Sequence, residues 1–218
     1  MSRTVVIRWT GGQVSGRWKA LRRPKGPSIL LAHGAGTNQD HPGVVGLRDG
    51  LSGRGHQVLT FNYPYTERGQ KRPDRQEKLL ACHRAAADWL RVRDEAVVMA
   101  GRSMGGRMAT YLAAEGQSCL GLVLYGYPLH PPGRPERLRK DHLADVSVPM
   151  LFFSGDRDSL ATPELFDRWI RPLPLVTSEI IHQADHSFRI PMRSGWTKES
   201  LLEWMAGRTS EWVGQLGA

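Results

Sequence analysis

Short apolar segments that end at glycine, asparagine or histidine recur along this 218-residue chain, and they constrain its fold more than any other feature. Most are apolar on both faces, which is typical of fully buried strands in a parallel sheet. The predicted strands cover residues 28–32, 57–61, 96–100, 120–125, 150–153 and 176–181. Before them, residues 4–9 and 14–21 flank a glycine pair and predict an opening β-hairpin.

Stretches with helical periodicity separate these strands, at residues 74–91, 103–114 and 198–215. Thr162-Pro163-Glu164 predicts another helix start, because it combines an N-cap residue, a proline at the first helical position and an acid in the first turn. Strands that alternate with helices indicate a doubly wound, mostly parallel α/β sheet with helices on both faces. We expect a single domain over residues 1–218.

Composition excludes several classes of function. The formal net charge is +9, but the arginines and lysines are scattered, and no dense basic run is interleaved with aromatic residues. We therefore expect no nucleic-acid partner. No apolar run approaches the length of a membrane span, and no signal segment opens the chain, so we expect a cytoplasmic protein without a membrane partner.

Cys82 and Cys119 lack metal-ligand spacing and are predicted to be reduced, buried thiols.

A G-x-S-x-G motif is the strongest chemical signal. It reads Gly101-Arg102-Ser103-Met104-Gly105 and is followed by Gly106. Because the chain contains 24 glycines, the bare pattern carries little weight. Its context is more specific, since it follows an apolar strand and opens a helix, the arrangement that exposes a nucleophilic serine on a sharp turn. A glycine-rich turn without chemistry is the alternative interpretation.

A serine nucleophile needs a base, and in folds with this elbow the acid and then the histidine follow the serine along the chain. The downstream histidines are His130, His142, His182 and His186. We select His186, because it lies in the loop after the last predicted strand, from which it can reach across the sheet edge. His182 ends that strand and is interpreted as a packing or capping residue, whereas the other two fall in the irregular segment 128–149.

The acid should follow the preceding strand, where Ser154-Gly155-Asp156-Arg157-Asp158 offers two aspartates. Its spacing from Gly155 favours Asp158 as the group that orients the histidine and stabilises its protonated form. Asp156 is then a turn residue, although it remains the alternative acid.

An oxyanion hole requires two backbone N–H donors. We assign them to Met104, directly after the candidate nucleophile, and to Ala35, in the sequence His33-Gly34-Ala35-Gly36 after an earlier strand. His33 itself is interpreted as a structural hydrogen-bonding residue.

Together these motifs resemble the dienelactone-hydrolase-related α/β-hydrolases, over about residues 28 to 190. The chain is most similar to the small subgroup that includes testis-expressed protein 30 and the hydrolase-like subunit of a chromatin acetyltransferase complex. The segments that carry the resemblance are 31–36, 101–106, 127–130, 154–158 and 184–187. It implies the α/β-hydrolase fold and the Ser103, Asp158 and His186 triad, but no substrate. Dienelactone hydrolases proper carry cysteine at the elbow, so dienelactone is not the expected substrate here.

Many lipases place a helical cap between the strand after the nucleophile and the acid, but only segment 128–149 is available here. We therefore expect no full cap domain, and an open and shallow site. Loops at the carboxyl ends of the strands form the pocket in open α/β sheets. The substrate-binding candidates from those loops are Tyr63, Tyr65, Arg102, Tyr127, His130 and Phe188.

The sequence thus predicts an ester or thioester hydrolase that acts on a small or extended acyl substrate through a covalent acyl-enzyme. We expect it to need no metal or organic cofactor. The rival hypothesis is a catalytically silent α/β-hydrolase fold that serves as a binding or scaffolding module, because fold does not determine function. A peptidase is a weaker alternative, since no propeller or cap domain is present to select peptides.

Overall fold

The computed structural model describes residues 2–216. Within them, eight strands form one sheet in the order β1-β2-β4-β3-β5-β6-β7-β8. The strands are β1 (Arg3–Trp9), β2 (Gly12–Lys19), β3 (Ser28–Ala32), β4 (Val58–Phe61), β5 (Val97–Arg102), β6 (Gly121–Tyr125), β7 (Met150–Gly155) and β8 (Val176–Ile181). All eight predicted strands are present.

Strands β3 to β8 pair in parallel, whereas the hairpin β1–β2 and the pair β2–β4 are antiparallel. Their carboxyl ends therefore lie along one edge of the sheet, where the motif-bearing loops meet. The interior strands β3 to β7 are almost entirely buried, as their apolar sequences predict. Strand β8 differs: it lies at the edge, and most of its residues are partly or fully exposed.

Six α-helices cover the two faces of the sheet within the described residues. They are α1 (Pro42–Gly53), α2 (Pro64–Glu67), α3 (Gln76–Arg91), α4 (Met104–Ala114), α5 (Pro163–Trp169) and α6 (Lys198–Val213). Helices α3, α4 and α5 contribute to one hydrophobic core and α1 and α6 to the other, so that the sheet is buried on both sides. The doubly wound α/β fold is therefore confirmed.

The sequence did not predict helix α1. His41 caps it by accepting a hydrogen bond from the Gly43 N–H at 3.1 Å, and Pro42 occupies the first position. Glycines lower the helix propensity of this segment. They also allow close packing against α6, because a Cβ at Gly46 would lie 2.7 Å from Leu202 and one at Gly50 would lie 2.8 Å from Ala206. Tertiary packing thus outweighs weak local propensity.

Segment 128–149 contains only a short 3₁₀ turn, Asp141–Asp145, and forms no cap domain, as predicted. The cysteines are unpaired; Cys82 is buried, but Cys119 is only half-buried, which corrects the expectation of two buried thiols. None of the helices in residues 2–216 is long and apolar enough to span a membrane.

Candidate active site

Ser103 lies at the sharp turn between β5 and α4. Its backbone has φ 48° and ψ −112°, a conformation that non-glycine residues rarely adopt and that costs about 1–3 kcal/mol. Two hydrogen bonds hold it there: the Ser103 N–H donates to the Tyr125 carbonyl at 3.0 Å, and the Arg107 N–H donates to the Ser103 carbonyl at 3.0 Å. The side chain is consequently presented above the carboxyl edge of the sheet.

Glycines make this turn possible because the backbone segments almost touch. A Cβ at Gly101 would lie 2.3 Å from the Gly106 nitrogen, and one at Gly105 would lie 2.7 Å from the carbonyl oxygens of Ala32 and His33. Real Cβ atoms do not come so close to backbone atoms, so both positions exclude side chains. The G-x-S-x-G spacing therefore reflects the tight contact between β5, α4 and the loop after β3.

The structure brings the three residues predicted as a triad into one hydrogen-bonded chain. Ser103 Oγ lies 2.9 Å from His186 Nε2, and His186 Nδ1 lies 2.8 Å from Asp158 Oδ2. Because a carboxylate can only accept, Nδ1 carries the proton, and Nε2 is then free to accept the serine proton when the ring is neutral. This is the geometry that general-base activation of a serine requires.

The two aspartates that the sequence offered have different surroundings. The Asp158 carboxylate is fully buried, and its second oxygen, Oδ1, accepts a hydrogen bond from the Leu160 N–H at 2.8 Å. Asp156 instead contacts His182 Nδ1 at 2.6 Å and accepts from the Gln183 N–H at 2.7 Å. The His182 side chain is 82 % exposed, so that pair lies at the surface. His182 and Asp156 are thus joined to each other, outside the serine chain.

The loop after β3 orients the Ala35 N–H. The Gly34 carbonyl accepts hydrogen bonds from His33 Nδ1 at 2.8 Å and from Thr37 Oγ1 at 2.9 Å. In a trans peptide the C=O and the following N–H point in opposite directions, so holding this carbonyl also sets the direction of the Ala35 N–H. Met104 is the first residue of α4, where N–H groups lack helical partners. Both residues line the same cavity as Ser103.

His33 is a structural residue, as predicted. It is completely buried, and burial lowers its pKa to about 4, so the ring is neutral. With Nδ1 donating to Gly34, its Nε2 accepts from the Tyr63 N–H at 3.2 Å. The Tyr63 hydroxyl in turn lies 2.9 Å from Nδ1 of the buried His83, whose pKa burial lowers to about 3. This network of neutral groups helps to hold the loop after β3 and, with it, the Ala35 N–H.

Ser103 opens onto a cavity of about 1050 Å³, hereafter the Ser103 cavity. One wall comes from α3, the start of α4 and segment 128–149; the other comes from α1, the loop after His186 and the start of α6. This volume is larger than the shallow site that the absence of a cap suggested. The helices and loops of the fold itself supply the walls, and the sequence did not reveal them.

Four of the six predicted substrate-binding residues do not line this cavity. Tyr63 and Tyr65 are completely buried, and Tyr127 and His130 are 2 % and 4 % exposed. The Tyr127 hydroxyl donates to the Arg139 carbonyl at 2.8 Å, so this tyrosine anchors segment 128–149 from inside. These assignments were wrong because a position at a strand end does not reveal which way a side chain points.

Arg102 and Phe188, the other two candidates, do line the cavity. Arg102 Nη2 donates to the Ser187 carbonyl at 3.3 Å and so links the serine turn to the histidine loop. Burial lowers the pKa of Arg102. The sequence reasoning missed His41 and Lys198, which line the same wall. Recognising helix α1 would have pointed to His41, since a cap residue at the carboxyl edge of the sheet faces the site.

Among residues 2–216, no group of three or more histidine, cysteine, aspartate or glutamate side chains is arranged to hold a metal ion.

Solved structures with the same fold include several hydrolases. A protein of unknown function from Agrobacterium tumefaciens matches with a TM-score of 0.78 and 19% identity, covering 98% of this chain and 95% of that one. A dienelactone hydrolase from Anabaena variabilis has a TM-score of 0.73 and 22% identity, with 97% and 96% covered. A serine hydrolase without a lid from Xanthomonas campestris has a TM-score of 0.71 and 19% identity, with 95% and 94% covered.

A family model described as an alpha/beta hydrolase domain matches residues 25–214, which include the serine turn, the two aspartates and the histidine loop. The match spans most of the chain. On this ground the protein belongs to the alpha/beta hydrolase domain family.

Proposed function

We propose that this hydrolase cleaves an ester or thioester of an acyl substrate through a covalent acyl-enzyme on Ser103. One observation carries the proposal: the continuous hydrogen-bonded chain from Ser103 Oγ through His186 to the buried Asp158, at the floor of a large cavity. A nucleophile, a base and two oxyanion donors are sufficient for acyl transfer, and this chain offers a candidate for each.

In the first half-reaction, Ser103 Oγ attacks the carbonyl carbon while His186 Nε2 takes the hydroxyl proton. The carbonyl oxygen becomes an oxyanion, which the N–H groups of Ala35 and Met104 stabilise. When the tetrahedral intermediate collapses, the bond to the alcohol or thiol breaks, and His186 returns the proton to that leaving group. Asp158 keeps the ring oriented and stabilises its transient positive charge.

In the second half-reaction, water replaces the leaving group. His186 removes a proton from water, the resulting hydroxide attacks the acyl carbon, and a second tetrahedral intermediate forms at the same N–H donors. Its collapse breaks the bond to Ser103 Oγ, which recovers its proton from His186. The free acid leaves and the enzyme is restored. Without a cap domain over the cavity, substrate and product can exchange directly with solvent.

Labelling with a fluorophosphonate probe tests the nucleophile. We expect the wild-type protein to be labelled and Ser103→Ala to be unlabelled, with hydrolysis of p-nitrophenyl acetate falling by about 10⁴-fold or more. Ser118→Ala is a matched control, because Ser118 is an exposed serine that does not line the cavity. A panel of p-nitrophenyl esters and acyl thioesters then ranks the substrate classes.

Undiminished labelling of Ser103→Ala would refute the assignment of the nucleophile. A wild-type protein that is neither labelled nor active would favour the rival hypothesis of a binding or scaffolding module.

We also propose, on the motifs alone, membership of the subgroup that includes testis-expressed protein 30. The family match supports membership of the wider alpha/beta hydrolase family, and a dienelactone hydrolase is among the solved structures with the same fold. Neither match tests membership of the subgroup.

A further inference from the structure

The Ser103 cavity carries a strong excess of positive charge. Its cationic lining residues are Arg102, Arg107, Arg139, Arg189 and Lys198. Asp74 is the only carboxylate among the described lining residues. Its Oδ1 is paired, at 2.7 Å from Arg68 Nη2 and 3.6 Å from Lys78 Nζ, whereas its Oδ2 has no hydrogen-bond partner. A cavity of one sign attracts ligands of the opposite sign and raises their local concentration.

None of these five cationic residues forms an ion pair within the described residues, and Arg107 on α4 and Arg139 on segment 128–149 lie on elements that pack against each other. Within residues 2–216, neither guanidinium takes part in a hydrogen bond with protein atoms or in an ion pair. Arg107 Nε is shielded from solvent without an acceptor, which is costly for a charged donor. Burial lowers the pKa of Arg139, and the neighbouring positive charge of Arg107 lowers it further. Both arginines line the same cavity, and segment 128–149 packs against α4, so the two positive charges share one site and repel each other.

The protein holds both arginines in place despite this repulsion. The Arg139 backbone is anchored twice, by its own N–H donating to the Leu129 carbonyl at 2.7 Å and by the Tyr127 hydroxyl donating to its carbonyl. Arg107 lies one helical turn beyond Ser103, and its guanidinium is 6.0 Å from the Tyr111 ring. Partly buried positive charges that are kept at one site without a counter-ion indicate a place for a ligand's negative charge.

We propose that Arg107 and Arg139 form an anion subsite for the substrate, which is an ester or thioester bearing a carboxylate or phosphate group. This inference rests on the proposed function, since it names the substrate class of the same site. The four-residue step from Ser103 to Arg107 spans about 6 Å along the helix. An anion held there lies a few bonds beyond the scissile carbonyl. The planar guanidinium binds both carboxylate and phosphate in a bidentate manner.

Two matched substrate pairs test the subsite and distinguish where the anion sits. Monomethyl adipate and dimethyl adipate differ by one negative charge on the acyl side, with methanol release as the readout. Acetoxyethyl phosphate and ethylene glycol monoacetate differ by a phosphate on the alcohol side, with acetate release as the readout. In each pair, the ratio of kcat/KM for the charged substrate to that for the neutral one measures recognition of the anion.

In the wild-type protein we expect this ratio to exceed one in at least one pair. Arg107→Gln and Arg139→Gln should each lower the ratio by about tenfold, because each removes a charge-assisted hydrogen bond to the anion. Arg137→Gln is the control, because Arg137 is an exposed arginine of the same segment that does not line the cavity. A ratio measured on one enzyme preparation does not depend on the fraction that is folded, so a destabilised variant remains informative.

The outcomes separate this inference from the proposed function. If the neutral esters are hydrolysed but neither ratio exceeds one, or if the ratio is unchanged in both glutamine variants, the subsite is refuted and the hydrolase remains. If neither pair is hydrolysed and Ser103 is not labelled by a fluorophosphonate, the proposed function fails, and the subsite fails with it. A ratio that falls equally in Arg137→Gln would reduce the effect to general surface charge and would also refute the subsite.

Discussion

Replacing Asp158 by asparagine tests the proposed mechanism at its most sharply defined contact. The carboxylate accepts two hydrogen bonds, from the Leu160 N–H through Oδ1 and from His186 Nδ1 through Oδ2, both at 2.8 Å. An asparagine side chain has one acceptor oxygen and one donor NH₂ group. The Leu160 N–H is a fixed donor, so we expect the asparagine oxygen to face it and the NH₂ group to face His186.

His186 then meets a donor where it previously met an acceptor. Its ring must present an unprotonated Nδ1, which moves the proton to Nε2, the atom that has to accept the Ser103 proton. The base is therefore held in the wrong tautomer. In serine proteases the corresponding change lowers kcat by about 10⁴-fold, or roughly 5 kcal/mol of transition-state stabilisation. We expect a decrease of this order, with a much smaller change in KM.

Asp156→Asn is the matched control, because it makes the same chemical change two residues away. Its partner His182 is largely exposed, and even a charged contact at the surface contributes only about 0–1 kcal/mol. We therefore expect its kcat to stay within about threefold of the wild-type value. Initial rates of p-nitrophenyl acetate hydrolysis measure both variants, and circular dichroism confirms that they fold. If Asp156→Asn is the more damaging change, or Asp158→Asn retains a tenth of the activity, the assignment of the acid is wrong.

Three further predictions concern the loop under the site and the buried histidines. Gly105→Ala places a Cβ within 2.7 Å of two backbone carbonyl oxygens, so we expect thermal denaturation to show a lower melting temperature and ester assays to show slower hydrolysis. An unchanged melting temperature and rate would contradict the close approach of these backbone segments. Thr37→Ala removes the 2.9 Å hydrogen bond that holds the Gly34 carbonyl, so we expect kcat to fall by about tenfold with little change in KM, and an unchanged kcat would remove this loop from the oxyanion hole. Folding lowers the pKa values of His33 and His83 to about 4 and about 3, so between these values and about 6.5 the unfolded chain binds protons that the folded one does not. The free energy of unfolding should therefore decrease as the pH falls below about 6.5, by about 2 kcal/mol for each histidine at pH 5. Urea titrations at pH 7 and pH 5 that give equal stability would refute this.

Patterns formed by residues close together in the sequence predicted much of the fold. A buried strand must be apolar on both faces, so all the interior strands could be located from composition along the chain. The serine turn could also be located from the sequence, because side chains are sterically excluded at Gly101 and Gly105 and this requirement produces the G-x-S-x-G motif. Ser103, Asp158 and His186 follow strands whose carboxyl ends share one sheet edge, so their proximity was predictable from strand order.

Helix α1 was not predictable in the same way, since its glycines weaken local propensity and favour the helix only through contact with α6. The direction of side chains at strand ends was equally hidden: Tyr63 and Tyr65 turn into the core, whereas Arg102 faces the cavity.

The sequence by itself therefore determined the α/β sheet, the serine turn and the order of the three candidate catalytic residues, because each depends on periodicity or on steric contact between near neighbours. Only the tertiary structure decided the shape and charge of the cavity. Its walls come from segments far apart in the chain, and Arg107 and Arg139 line the same cavity only because segment 128–149 packs beside α4. Side-chain orientation and long-range proximity are set by packing, which no local pattern encodes.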